Sequence, residues 1–196
     1  IPLEDDSSTP NRISTRNWAP VLEGGCELEV PDDRIEFLFE SSRRTLLTLS
    51  NDAVYPGAFT YKRFWFRDAS YMLNALLALG YEQRVRKVLE SYPSRQNRSG
   101  YFCSQKGEWD SNGQVLWILD RYRTVAKEAL PAEFETAIRS GAEWILHKRL
   151  DDDREEAHAG LLPPGFSAEH FGPNDYYYWD DFWSVAGLQS AARLLD

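Results

Sequence analysis

Residues 67–92 read RDASYMLNALLALGYEQRVRKVLESY, and this stretch indicates the fold class. Its first half is apolar nearly all round, which predicts a buried helix that ends at Gly80 as a C-terminal cap. Its second half spaces four apolar residues along one face of a charged segment: Val85, Val88, Leu89 and Tyr92. That spacing predicts an amphipathic helix over 82–92. Together the two halves predict a helical hairpin with one buried and one covering member.

The same alternation continues on both sides of this hairpin. Amphipathic helices are predicted at about 33–50, 82–92 and 131–148, and apolar helices at about 68–79, 111–128 and 180–195. An amphipathic helix covers a core from outside, whereas an all-apolar helix lies buried between its neighbours. The sequence therefore predicts an all-α protein with two layers of helices. Residues 1–32 carry four prolines and the pair Gly24-Gly25, which predicts a linker or N-terminal arm.

Composition excludes several function classes. The chain has 196 residues, which suffices for one domain with a hydrophobic core. Its 31 Asp and Glu against 22 Lys and Arg give a net charge of −9, which argues against nucleic acid and membrane as partners. Two cysteines are too few for a disulfide scaffold. The chain's three histidines, His147, His158 and His170, lack metal-ligand spacing, so we expect no bound metal. We also expect no cofactor. The expected location is the cytoplasm.

The connections that lead into the apolar helices are long, at 51–67, 93–110 and 149–179, and those that lead out are short. An up-and-down arrangement then brings all three long loops, and the starts of all three buried helices, to one end. Each start carries carboxylates beside aromatic residues, in YKRFWFRD (61–68), GEWDSNGQ (107–114) and NDYYYWDDFW (174–183). Aromatic faces and carboxylates together are typical of sugar recognition.

Three aspartates stand at these helix starts: Asp68, Asp110 and Asp180. Each one alone is explained by the preference of Asp for helix N-termini. Their coincidence with three aromatic clusters at one end favours a binding site instead. A carboxyl beside Trp is partly desolvated, which raises its pKa and suits it to act as an acid near neutral pH. Trp117, Trp144 and Trp183 fall within helical stripes and are predicted to lie in the core.

The three helix starts, read in order, resemble those of the (α/α)6-barrel glycoside hydrolases. The similar segments are Arg67-Asp68, the run 108–114 and Trp179-Asp180-Asp181. The nearest families are the glucoamylase-like enzymes of glycoside hydrolase family fifteen and the amylo-α-1,6-glucosidase domain of glycogen debranching enzymes. The stretch GLLPPG at 160–165, followed by HFG at 170–172, is similar to bacterial members. The resemblance covers 33–196 and implies the N-terminal half of a catalytic barrel, three hairpins of six.

The resemblance implies an inverting α-glucosidase that acts on glycogen- or oligosaccharide-type substrates without a cofactor. It implies that Arg67 and Asp68 hold sugar hydroxyls, that Asp180 is the general acid and that Asp181 helps to bind substrate. The further substrate-binding residues that it implies are Trp65, Trp109, Asp110, Asn112, Gln114 and Trp179. Of these, Trp109 and Trp179 look like walls on which a sugar stacks.

The general base of such enzymes lies in the later half of the barrel, and Glu108, Glu156 and Glu169 match no family position for it. The chain is then a fragment of a larger enzyme, a half barrel completed by another polypeptide, or a domain that binds sugar without hydrolysis; we favour the fragment. A glycoside phosphorylase is a further alternative. It needs a basic phosphate site, for which Lys62, Arg63 and Arg67 are available.

Overall fold

The computed structural model describes residues 18–51, 53–152, 157–166 and 173–196. Within these ranges the chain is helical, with two isolated antiparallel bridges, Gln96–Phe102 and Gly165–Asp175. The helices are α1 (Ala19–Leu22), α2 (Asp33–Leu49), α3 (Phe66–Ala78), α4 (Glu82–Leu89), α5 (Tyr92–Arg95), α6 (Ser111–Ala126), α7 (Glu133–Lys148) and α8 (Tyr178–Leu195). The predicted all-α class is confirmed.

The three apolar helices α3, α6 and α8 run parallel, with α6 in the middle. Near the start of α3, Arg67 donates to Asp110 at the start of α6. Further along both helices, Arg121 of α6 donates to Asn74 of α3, so the two helices point the same way. Gly113 near the start of α6 lies against the backbone of α8 at Trp183. Further along, Asp120 of α6 binds Arg193 of α8. The starts of all three helices therefore lie at one end.

The amphipathic helices α4 and α7 pack against this layer. Helix α7 runs antiparallel to α6 and α8. The segment that precedes α7 lies beside Leu195 at the end of α8. Lys148 at the end of α7 lies over Trp109, which precedes α6. The core between the layers is apolar, and its fully buried side chains include Leu73, Leu76, Val85, Leu89, Leu116, Ile118, Phe134 and Ile145. Each such side chain contributes about 1.5–3 kcal/mol to stability.

Two of the inner helices begin earlier than the sequence predicts. Helix α3 begins at Phe66 and α8 at Tyr178, two residues before the predicted starts. Asp68 and Asp180 thus occupy the third helical position of their helices, whereas Asp110 is the N-cap of α6. Helices α3 and α8 therefore carry their aspartates inside the first turn, whereas α6 has its aspartate just before the first turn.

Part of the segment predicted as a linker packs on the core. Trp18, Val21 and Leu22 contact the hydrophobic core, and the backbone N–H of Cys26 donates to Leu79 O at 2.8 Å. The buried guanidinium of Arg43 in turn donates to Cys26 O at 2.8 Å. Prolines and glycines alone do not reveal this packing, because it depends on a few apolar side chains. Residues 1–17 of the predicted arm lie outside the described residues.

Among the described residues, no helix combines the length and the apolar character that crossing a membrane requires.

Candidate functional site

One carboxylate oxygen joins the three helix starts. Asp110 Oδ2 accepts hydrogen bonds from Arg67 Nε at 2.9 Å, from Trp179 Nε1 at 2.8 Å and from Gln114 Nε2 at 3.2 Å. The donors come from α3, α6 and α8, and Asp110 is only 1% exposed. Charge-assisted bonds of this kind are the stronger class of hydrogen bond. Asp110 therefore fixes the relative position of the three helices at the end where the aromatic clusters meet.

Arg67 lies between two acidic residues. Besides its bond to Asp110, its Nη2 is 3.3 Å from Oε2 of the buried Glu108. Burial alone would lower the pKa of Arg67, but the charges of Asp110 and Glu108 outweigh it and raise the pKa above the ordinary value. Two of the guanidinium nitrogens thus face protein carboxylates. In this arrangement Arg67 positions the acidic cluster, beside its predicted role in holding sugar hydroxyls.

Asp180 is a buried carboxyl whose surroundings favour its protonated form. It is 2% exposed, and its Oδ1 has no hydrogen-bond partner in the described part of the chain. Burial raises the pKa of Asp180 to about 8, and the nearby charges of Asp110 and Asp181 act in the same direction. Arg67 offsets this only in part. Asp180 therefore holds its proton at neutral pH, as a general acid must before it donates.

The two neighbouring aspartates differ from Asp180 in their surroundings. Asp68 is half-buried, and burial raises its pKa although the positive charge of Arg67 opposes the change. The carboxylate of Asp181 accepts a hydrogen bond from the backbone N–H of Leu162 at 2.9 Å. That bond ties the loop at 157–166 to the start of α8. The structure thus gives Asp181 a role in loop anchoring that the sequence does not indicate.

The predicted aromatic walls are open to different degrees. Trp179 is 36% exposed and meets Trp183 edge to face, with ring centroids 6.0 Å apart. Trp109 donates from Nε1 to Pro163 O at 3.1 Å, and the Lys148 ammonium lies 4.0 Å from its ring centroid. The ring of Trp65 is likewise covered by a cation, the guanidinium of Arg63 at 4.5 Å. A sugar can stack on Trp109 or Trp65 only on a face that these cations leave open.

The side chains of Asn112 and Gln114 lie inside the protein. Asn112 is fully buried; its Nδ2 donates to Gly100 O and Gly141 O, and its Oδ1 accepts from the backbone N–H of Phe102. It cross-links α6 to the preceding loop and to α7. Gln114 is also fully buried and donates to Asp110. Both side chains therefore lie within the scaffold, and their predicted contacts with sugar hydroxyls stay predictions.

Trp183 and Tyr71, which the sequence does not indicate as site residues, also lie at this end of the molecule. Trp183, predicted as core, is half-buried and forms edge-to-face contacts with Tyr71, Trp117 and Trp179 at 5.9, 5.4 and 6.0 Å between centroids. Tyr71 is 45% exposed and follows Arg67 by one helical turn. The spacing of four residues between Arg67 and Tyr71 is the signal that could have placed Tyr71 beside the cluster.

Glu108, one of the three glutamates weighed as a general base, is described in the structure. It is 1% exposed and paired with Arg67, so it contributes charge to the cluster from within the protein. Glu156 and Glu169 lie outside the described residues, as does His170. Among the side chains that the structure describes, no group of three or more His, Cys, Asp and Glu is arranged to hold a metal ion.

The site thus consists of a carboxyl protonated at neutral pH, a buried ion-pair network that positions it, and a partly open aromatic wall. This arrangement can donate a proton to a neutral ligand that stacks on Trp179. Comparison with known proteins adds no family: the chain matches no family model, no curated protein and no solved structure.

Proposed function

We propose that this chain is the N-terminal half of an (α/α)6-barrel glycoside hydrolase that cleaves α-glucosidic bonds with inversion. The observation that carries the proposal is Asp180, a buried carboxyl with its pKa raised to about 8, beside the exposed edge of Trp179. The parallel inner helices with covering helices outside them support the barrel, because each hairpin of such a barrel pairs one inner with one outer helix. The resemblance of the three helix starts supplies the substrate class.

Asp180 donates its proton to the glycosidic oxygen as the bond to the leaving sugar breaks. A second carboxylate activates water on the opposite face of the ring, and inversion requires the two carboxyl groups to be about 6.5–9.5 Å apart. Asp68 and the negative cluster around Asp110 stabilise the positive charge that develops on the sugar ring. We place the second carboxylate on the remaining half of the barrel, from the same or another polypeptide.

The ion pair between Glu108 and Arg67 argues against Glu108 as the base. Its carboxylate is held 3.3 Å from the guanidinium and is thus engaged within the protein, whereas a general base must be available to a water molecule on the open side of the sugar. The same contacts make Glu108 a source of negative charge near Asp180, whose pKa it helps to raise.

The experiment compares wild type and Asp180→Asn on a panel of α-glucosides, in this chain and in any longer product of the same gene. The anomeric configuration of the product is followed by NMR. Where the remaining half of the barrel is present, we expect turnover with inversion and a loss of about 10²–10⁴-fold in Asp180→Asn, the range for a removed general acid. The control is Asp33→Asn, which removes an exposed carboxyl from the start of α2.

Each other outcome points to a different function. Turnover that Asp180→Asn leaves unchanged would remove Asp180 from the mechanism. Strict dependence of turnover on inorganic phosphate would identify a phosphorylase. Sugar binding without turnover in any form of the protein would identify a carbohydrate-binding domain, which has no need of a protonated Asp180.

A further inference from the structure

Tyr71 lies at the edge of the acidic cluster, on the same face of α3 as Arg67. Its ring is 45% exposed and packs edge to face on Trp183, with centroids 5.9 Å apart and planes at 82°. Trp183 is itself held between Trp117 and Trp179. The phenol ring is therefore fixed by packed aromatic residues on one side, while nearly half of the residue stays exposed.

The hydroxyl group of Tyr71 stays protonated over the whole working pH range. Burial of the hydroxyl raises its pKa above the ordinary value, and the negative charge of Asp110 adds to this. Arg67 and hydrogen bonding with Trp183 act in the opposite direction without cancelling the effect. A protonated phenol can donate a hydrogen bond, and a charged phenolate cannot.

Three other donors in the cluster are already engaged within the protein. Arg67 Nε, Gln114 Nε2 and Trp179 Nε1 all donate to Asp110 Oδ2. The remaining polar groups there are mostly carboxylates, which accept hydrogen bonds from sugar hydroxyls but, when ionised, cannot donate to sugar oxygens. A sugar hydroxyl is both donor and acceptor, so a free donor on the protein adds a hydrogen bond that the carboxylates cannot supply.

We infer that Tyr71 is a further substrate-binding residue, whose hydroxyl donates a hydrogen bond to one sugar oxygen while its ring extends the aromatic wall of Trp179 and Trp183. This inference rests on the proposed function, since it takes the ligand to be an α-glucoside. It assigns to α3 a contact one helical turn beyond the Arg67-Asp68 pair. It also predicts that recognition depends on one particular hydroxyl of the sugar.

The test is isothermal titration calorimetry of this chain with methyl α-D-glucoside and its 2-, 3-, 4- and 6-deoxy analogues. Tyr71→Phe removes only the hydroxyl and keeps the ring against Trp183, so the fold is retained. Tyr71→Ala removes both. The matched control is Tyr178→Phe, in which the tyrosine is 67% exposed and packs on Phe182 at the start of α8.

We expect Tyr71→Phe to weaken binding of methyl α-D-glucoside about threefold to tenfold, the worth of one neutral hydrogen bond. The loss should vanish for one deoxy analogue, the one that lacks the contacted oxygen, and persist for the other three. Tyr71→Ala should bind more weakly still, and Tyr178→Phe should bind like wild type.

The inference is overturned if Tyr71→Phe binds every ligand as wild type does, or if it weakens all five by one common factor. In both cases wild type still binds sugar, so the proposed function stands. If wild type binds none of the five ligands, the proposed substrate class fails and this inference fails with it.

Discussion

At the scale of single residues, Asp180 carries a proton that the unfolded chain would release. The pKa of its carboxyl is about 8 in the folded protein against 3.8 for the unperturbed group. Between these pH values the unfolded state binds fewer protons than the folded state, so the free energy of unfolding falls as pH rises. The burial that makes Asp180 an acid at neutral pH therefore destabilises the fold there.

We expect Asp180→Asn to stabilise the protein at neutral pH, because a neutral amide has no proton to lose on unfolding. Between the unperturbed pKa and pH 7 lie about three pKa units at about 1.4 kcal/mol each, so the gain at pH 7 is on the order of 4 kcal/mol, and it should shrink towards zero as pH falls to about 4. Urea denaturation of wild type and variant at several pH values measures it. A gain that stays constant with pH, or a loss at pH 7, would contradict this account.

Asp110→Asn should have the opposite effect on stability. The amide cannot replace the charged oxygen that accepts from Arg67, Gln114 and Trp179, so we expect a loss of about 2–4 kcal/mol. The pKa of Asp180 should fall as well, because the charge of Asp110 contributes to raising it. The two effects are measured by urea denaturation and by NMR titration of the Asp180 carboxyl.

The control for Asp110 is Asp33→Asn, which also removes a carboxylate from a helix start but at an exposed site. Its cost should stay below about 1 kcal/mol, the usual value of a helix-dipole interaction. Equal costs at Asp33 and Asp110 would show that the bonds to Asp110 Oδ2 contribute nothing beyond the dipole.

The sequence predicts part of this site at residue level. The meeting of Asp68, Asp110 and Asp180 at one end follows from the lengths of the connections between helices. The scaffold role of Asn112 does not, because its partners Gly100 and Gly141 come from a preceding loop and from α7. The sequence gives no register between α6 and α7, so it cannot show which polar side chains of the first turn point inward.

At the scale of elements, the contact between α6 and α8 depends on glycine. A Cβ at Gly113 would lie 2.1 Å from Trp183 O, and a Cβ at Gly187 would lie 2.5 Å from Gly113 Cα. Both neighbours are backbone atoms, which cannot move aside without shifting a helix. The two glycines thus permit the close approach that lets the Trp179 N–H reach Asp110 from the start of α8.

We expect Gly187→Ala to destabilise the protein by about 2–4 kcal/mol, since overpacking against backbone outweighs the gain of about 1 kcal/mol in helix propensity. The control is Gly141→Ala, where the Cβ would lie 3.2 Å from the edge of the Phe102 ring, so the neighbour needs to give by only a few tenths of an ångström. Its stability should stay within about 1 kcal/mol of wild type. Thermal and urea denaturation of both variants decide this; equal losses would refute the close-approach argument.

The helices themselves are the part that the sequence predicts best. Six predicted helices appear in the structure because apolar spacing at a period of 3.6 residues is a local signal. The packing of Trp18 and Leu22 on the core is not local, and the sequence presents that segment as a linker. The sequence does not indicate the early starts of α3 and α8, because the N-cap residues Trp65 and Tyr177 form no side-chain capping bond.

At the scale of the whole molecule, two helices present apolar residues to the outside. On α2, Ile35, Phe37 and Leu38 are at least half exposed, and on α8 Phe182 and Val185 are 72% and 54% exposed. The C-terminal end of α2 contacts α4, where the guanidinium of Arg84 donates hydrogen bonds to Leu47 O and Ser50 O. The proposed half barrel requires apolar faces of this kind, because further hairpins would cover them there.

These two flanks predict that the 196-residue chain self-associates. In sedimentation velocity, we expect the mean mass of wild type to rise with concentration, and Phe182→Ser with Val185→Ser to move that rise to at least about tenfold higher concentration. The reason is that burying such side chains contributes about 1.5–3 kcal/mol each. Leu146→Ser is the control, because Leu146 is also exposed, at 52%, but lies on α7 in the covering layer. A wild type that stays monomeric throughout would mean that neither flank has an affinity for a second apolar surface, and the half-barrel arrangement would then lose its physical support.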